Sequence, residues 1–222
     1  MLIPVLLWLI VLPSAVMNMI GTLADPFPFF PETTEVTVLI LLVNILLSIV
    51  MLWGTACIVL IGKRLTQAKA GRSRSSFGTL RKQGAHFVLP LLLTGILRAC
   101  ITILWSLLFI IPGVIYGIRT VFYTFTVIFE EKNFRAALRQ SADIVRGRTW
   151  GVLWIFLVLG MILYLPANLA LWLLEEPAFE AGIVSAILLD LTNAFVNGAV
   201  STLFAFALII LYGECTRKTN MR

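Results

Sequence analysis

Residues 63–82 read KRLTQAKAGRSRSSFGTLRK, a stretch with seven lysines and arginines and no acid. Apolar runs bound it on both sides, at 36–61 and 87–111. Each run is about as long as the roughly 20 residues that a helix needs to cross the bilayer core. Basic loops stay on the cytoplasmic side of a membrane, so the stretch predicts two spans and their orientation together.

Four further runs lie outward from it, giving six in all, at 2–23, 36–61, 87–111, 114–129, 152–174 and 183–212. Composition agrees. Of the 222 residues, 60% are hydrophobic and only 13% charged, with a mean hydropathy of +1.00. So short a chain cannot bury that much apolar surface in a soluble core, which leaves lipid as its solvent. The net charge of +6 would suit nucleic acid. No soluble basic module carries it, however, and membrane orientation accounts for it.

The connections alternate in charge. Asp25, Glu32 and Glu35 stand between the first two runs, and Glu175, Glu176 and Glu180 between the last two, with no basic residue in either place. Lys132, Arg135, Arg139, Arg146 and Arg148 stand between the fourth and fifth runs, and Arg217, Lys218 and Arg222 close the chain. The pattern predicts an all-α six-helix membrane bundle in the cell (inner) membrane, in one domain over 1–222, with both termini cytoplasmic. It makes 62–86 a basic cytoplasmic loop. Met1 opens directly into Leu2-Ile3-Pro4 without a basic region, which predicts a retained first span rather than a cleaved signal. Pro13 should kink that span.

Ile111-Pro112-Gly113 separates the third and fourth runs. Proline stops a helix and glycine permits a tight turn, so a hairpin turning at Pro112-Gly113 is expected. Gly113-x-x-x-Gly117 then allows close helix approach within the chain. Residues 130–149 hold a cytoplasmic amphipathic helix, FRAALRQSADIV at 134–145. Phe134, Ala137, Leu138, Ser141 and Val145 fall on one face, with Arg135 and Arg139 on another. A weaker amphipathic helix is expected at 77–83, and helix plus hairpin reads as one unit of a degenerate repeat.

Two basic residues, Arg98 and Arg119, lie inside apolar runs. Counted along straight helices from His86 and Glu130, both sit roughly 16–18 Å deep, near the midplane. Each belongs to a polar stripe at helical spacing: Thr94, Arg98 and Thr102 on the third run; Tyr116, Arg119, Tyr123, Thr126 and Glu130 on the fourth. Asp190, Asn193, Asn197 and Ser201 repeat the spacing on the last run, and Asn44, Ser48 and Thr55 nearly do on the second. Facing one another, the stripes would form a polar seam. Two readings follow. The seam is packing glue, with the arginines neutralised by Asp190, amides and carbonyls. Alternatively, Arg98 and Arg119, with Tyr116, Tyr123, Asp190, Asn193 and Asn197, line a site for an anionic substrate such as a lipid phosphate.

Cys57, Cys100 and Cys215 are not spaced as a metal pair, and His86 is the sole histidine. The sequence has no HExxH motif, no phosphate-binding glycine loop and no paired intramembrane aspartates. It predicts a non-enzyme without a cofactor, whose partners are anionic headgroups at the cytoplasmic face and a docking protein, not nucleic acid.

Within residues 111–150, Ile111-Pro112-Gly113, Tyr116, Arg119, Glu130, Ala136-Ala137-Leu138-Arg139-Gln140-Ser141, Arg146-Gly147 and Trp150 resemble the glycerophosphoryl diester phosphodiesterase membrane-domain family and related six-span bacterial inner-membrane proteins. The family's name comes from proteins that fuse this region to a soluble phosphodiesterase barrel needing several His and Glu residues, of which this chain has nothing. The resemblance thus implies a membrane module without the enzyme, lipid-binding or scaffolding, with a transporter or lipid-handling protein as the alternative. It supports Arg119 and Glu130 among the polar membrane positions. Phe125 stands where members often carry proline, which implies a straighter fourth helix.

Overall fold

The computed structural model describes residues 2–24, 34–67, 77–180 and 183–219, and every element among them is helical. In order these are α1 (Leu2–Leu6), a π-helical turn (Leu7–Val11), α2 (Leu12–Ala24), α3 (Thr34–Gln67), α4 (Phe77–Leu108), α5 (Ile110–Arg119), α6 (Tyr123–Phe129), α7 (Phe134–Val145), α8 (Thr149–Glu180) and α9 (Ile183–Thr219). Six stretches are long and apolar enough to cross a membrane, so the fold is an all-α polytopic bundle. Asp25, Glu32, Lys69, Arg72, Arg74 and Arg222, on which part of the charge alternation rests, lie outside the described residues.

The expected weaker helix at 77–83 is not a separate element. It is the first two turns of α4, which runs unbroken through Pro90. The hairpin turn also differs from expectation. The chain turns at Phe109, whose backbone is extended (φ −155°, ψ 132°). Pro112 instead lies in the first turn of α5, where no intrahelical partner awaits its missing N–H. Gly113 is needed for packing: a Cβ there would lie 2.9 Å from Ser106 Cα and collide with the Ser106 hydroxyl.

The fourth run is two helices. α5 ends at Arg119 and α6 begins at Tyr123, so the predicted stripe from Tyr116 to Glu130 does not keep one helical phase. The straighter helix implied at Phe125 is likewise not found, since the break lies just before it, at 120–122.

The chain divides into two compact units. One comprises residues 1–55 and 161–203, the other residues 56–160 and 204–222. Charge divides with them. Among the described residues the first unit holds five acids, Glu35, Glu175, Glu176, Glu180 and Asp190, and no lysine, arginine or histidine. Every described lysine and arginine belongs to the second unit, beside Glu130, Glu131, Asp143 and Glu214.

In the first unit, Pro13 has no N–H to offer the Leu9 carbonyl, and the π turn widens the helix immediately before it. The Leu9 carbonyl meets Gly54, where a Cβ would approach to 2.8 Å. Val11, Ala15 and Ala194 form a small core with Leu6 against it. The polar stripes here spend their donors mostly on their own helices. Asn44 and Ser48 donate to the carbonyls of Ile40 and Asn44, and Thr55 to that of Met51. Asn197 donates to both the carbonyl and the side chain of Asn193. The hydroxyls of Tyr164 and Ser201 share a hydrogen bond between helices at 3.0 Å.

In the second unit, α7 packs against α4, α5 and α6. Its buried face is Ala137, Leu138, Ser141, Ile144 and Val145. Phe134, expected on that face, is 47% exposed, and Ile144 takes part instead. Glu131 and Phe134 both adopt the left-handed region, at φ 55° and 51°. The Phe134 amide is held by the Thr94 hydroxyl at 3.1 Å. Gly147, at φ 80°, supplies the reversal into α8.

Candidate anion-binding cleft on the basic unit

The break in the fourth span exposes backbone groups that hydrocarbon would leave unpaired, at several kcal/mol each as an order of magnitude (~2–7). Side chains from three neighbouring helices satisfy them. The Ser141 hydroxyl accepts from the Phe122 amide at 3.1 Å and donates to the Arg119 carbonyl at 3.0 Å. Thr120 donates from its hydroxyl to the Tyr116 carbonyl at 2.8 Å. Thr126 donates to the Tyr123 carbonyl at 2.8 Å and to the Ala137 carbonyl at 3.1 Å, tying α6 to α7.

Arg98 belongs to this repair. Its Nε donates to Thr120 Oγ1 at 3.0 Å and its Nη2 to the Gly117 carbonyl at 2.9 Å. The guanidinium also stands 5.1 Å from the centre of the Tyr123 ring. A cation at a helix C-terminus is favourable by about 0.3–1 kcal/mol, and more where partly buried. Arg98 is therefore the cap of α5. Lys63 does the same for α6, donating to the Ile128 and Phe129 carbonyls at 2.8 and 3.2 Å. Sequence reading assigned Lys63 to orientation only, because its role depends on a helix end that no local motif announces.

Arg119 is placed differently. It is exposed, and among the described residues its guanidinium makes no hydrogen bond or ion pair. Tyr116 and Tyr123 are half-buried, both within reach of the Arg98 charge or its face. Asp190, Asn193 and Asn197 belong to the other unit. The structure thus joins Arg98, Tyr116 and Tyr123 around the α5 terminus, with Thr120 as the member that the stripes did not include.

Glu130 anchors a second polar group. Its carboxylate accepts from Tyr212 at 2.8 Å and pairs with Lys132 at 3.1 Å. Gln140 bridges the two, donating to Glu130 at 3.4 Å and accepting from Lys132 at 3.0 Å. The Tyr212 ring packs against Phe122, Phe125 and Phe129, with centroids 5.5–5.7 Å away.

Between these groups opens a cleft of about 750 Å3. Lys132, Arg135, Arg139, Gln140 and Asp143 line it from α7 and the turn before it. Tyr116 of α5, Ile101 of α4 and Leu138 form its other walls. Arg135, Arg139 and Asp143 stand at i, i+4 and i+8, so one helix face delivers all three. The charged face of α7 thus shares the cleft with Ile101 of α4, and α4 and α5 carry exposed Leu104, Leu108 and Ile111. Guanidinium groups beside apolar surface suit a ligand with an anionic head and a hydrocarbon tail.

No protein-family model, curated protein or solved structure matches this chain.

Proposed function

We propose that the chain is a non-catalytic, multi-pass module of the cell membrane that binds the phosphate of anionic lipid headgroups in the cleft between α4, α5 and α7. The observation that carries this reading is the convergence of Lys132, Arg135 and Arg139 on one cleft, three cations against the single acid Asp143, with Tyr116, Gln140 and apolar side chains as the other walls. Lys132 already has a carboxylate partner in Glu130, so Arg135 and Arg139 supply the forks for phosphate. Ile101 and Leu138 in the same lining offer the acyl chains an apolar contact. Both termini and the basic segments face the cytoplasm in this proposal, supported by the alternation of acidic and basic connections along the sequence. Membership in the phosphodiesterase membrane-domain family is part of the same proposal and rests on the motifs within 111–150.

The test is titration of fluorescent phosphatidic acid and phosphatidylcholine against the protein in a neutral detergent. Each exposed cation near an anionic surface contributes about 1 kcal/mol. Arg135→Gln with Arg139→Gln should therefore weaken phosphatidic acid binding by roughly 30-fold and leave phosphatidylcholine unchanged. Equal binding of the anionic lipid by wild type and double variant would refute the reading.

A further inference from the structure

The cleft beside α7 carries one group that a bare phosphate does not call for. Asp143 lines it with Lys132, Arg135 and Arg139, one helical turn beyond Arg139 and two beyond Arg135. Along the axis, Asp143 stands about 6 Å past Arg139 and about 12 Å past Arg135. All three residues are exposed. Among the described residues their side chains make no hydrogen bond or ion pair, whereas Lys132 is paired with Glu130.

Helix stability does not account for this acid. Asp143 lies in the last turn of α7, where the macrodipole is negative and an anion is unfavourable. The end of α7 is closed by backbone alone, the Arg146 amide donating to the Asp143 carbonyl at 3.2 Å. Arg139 is the neighbour at i−4, yet no ion pair joins the two. Asp143 also opposes any phosphate that enters beside it, since like charges repel across a shared cleft. A ligand with a positive group turns that repulsion into attraction.

The charges of such a ligand follow from the groups that face it. Guanidinium forks take anionic oxygens in pairs, and a guanidinium has five N–H donors. A carboxylate only accepts, so its partner must bring N–H groups, which a primary ammonium does and a quaternary one does not. Two guanidiniums and one carboxylate therefore fit a head with two anionic groups and a primary ammonium.

We infer that the cleft selects a phosphoserine head, with its phosphate on Arg135 and the near edge of Arg139. The serine carboxylate takes the far edge of Arg139, and the ammonium pairs with Asp143. The cleft volume of about 750 Å3 lies in the range of small-ligand sites, roughly 300–1,000 Å3. The inference rests on the lipid-phosphate reading of this cleft and names the headgroup.

The experiment titrates fluorescent phosphatidylserine, phosphatidylglycerol and phosphatidic acid against the full chain in a neutral detergent. At about pH 7 the carboxylates and the ammonium are charged. Phosphatidylserine and phosphatidylglycerol then carry the same net charge, so the difference between them reports the ammonium. Wild type should bind the serine lipid roughly three- to fivefold more tightly, as one exposed ion pair allows. Asp143→Asn should erase that preference and tighten phosphatidic acid binding by roughly two- to fivefold, because nothing then opposes the phosphate. A structural role for Asp143 would instead move all three lipids together. Equal binding of the serine and glycerol lipids by wild type overturns the inference, as does a preference that survives Asp143→Asn. Should that variant not fold, the wild-type comparison decides alone. Competition by free O-phosphoserine as strong as by unlabelled phosphatidylserine would give the site to a soluble ligand and overturn its assignment to a lipid. Failure of the lipid-phosphate reading shows separately, as phosphatidic acid binding that ignores Arg135→Gln with Arg139→Gln.

Discussion

Ser141→Ala removes one oxygen from a site with no solvent exposure, and the consequences follow from the two bonds that this oxygen makes. The Phe122 amide and the Arg119 carbonyl both lose their partner at the break between α5 and α6. A buried polar group left without its bond costs about 1–3 kcal/mol. Two such groups, partly relaxed, place the destabilisation at roughly 2–4 kcal/mol. For a chain of this length each kcal/mol lowers Tm by about 2–4 °C, so a fall on the order of 4–16 °C is expected. Thermal unfolding in detergent measures the fall, and hydrogen exchange across residues 119–125 locates it, with the Phe122 amide exchanging faster. Ser141→Thr keeps the hydroxyl and should retain most of the stability. If Ser141→Ala melts and exchanges like wild type, the break is not held by α7 and the account of the fourth span is wrong.

Other predictions follow from the same region. Arg98→Met should lower stability by about 1–3 kcal/mol, because the Gly117 carbonyl and the Thr120 hydroxyl both lose a charged donor. Arg98→Lys should rescue only part of that loss, since one ammonium does not reproduce two donors in a fixed fork; thermal unfolding of the pair checks both. Gly113→Ala should destabilise the α4–α5 hairpin by about 1–3 kcal/mol through its collision with Ser106, whereas Gly117→Ala, with open space at its Cβ, should be tolerated. A difference of less than about 0.5 kcal/mol between the two alanines would contradict the hairpin packing. A reporter fused after Arg222 should read cytoplasmic, and a signal from the opposite face would reverse the proposed orientation.

The spans were readable because each is a nearly uninterrupted apolar run, and lipid imposes no finer pattern than that. The break within 110–129 was not readable. Arg119, Thr120, Val121 and Phe122 include no proline or glycine, and the irregular backbone is supported by Ser141, Thr126 and Arg98 from elsewhere in the fold. Pro112 misled in the opposite sense, since proline stops a helix at its interior but suits its first turn. The reading of α7 found its amphipathic character and four of its buried positions, yet took Phe134 as inward. The left-handed backbone at Phe134 places that residue before the regular phase begins. The candidate site shifted for a related reason. Counting depth along straight helices put Arg98 and Arg119 together at one level, but one caps a helix end and the other is exposed. The cations with an open cleft before them are Arg135 and Arg139, which the sequence places on the charged face of an interfacial helix, and no local feature of an amphipathic helix tells what that face will line.

Native mass spectrometry of the intact protein, ejected from micelles containing equal phosphatidic acid and phosphatidylcholine, tests the central claim most directly. Wild type should retain phosphatidic acid in preference, and Arg135→Gln with Arg139→Gln should erase that preference while Arg98→Met keeps it. Preference retained by the double glutamine variant, or lost equally with Arg98→Met, would contradict the assignment of the cleft as the lipid-phosphate site.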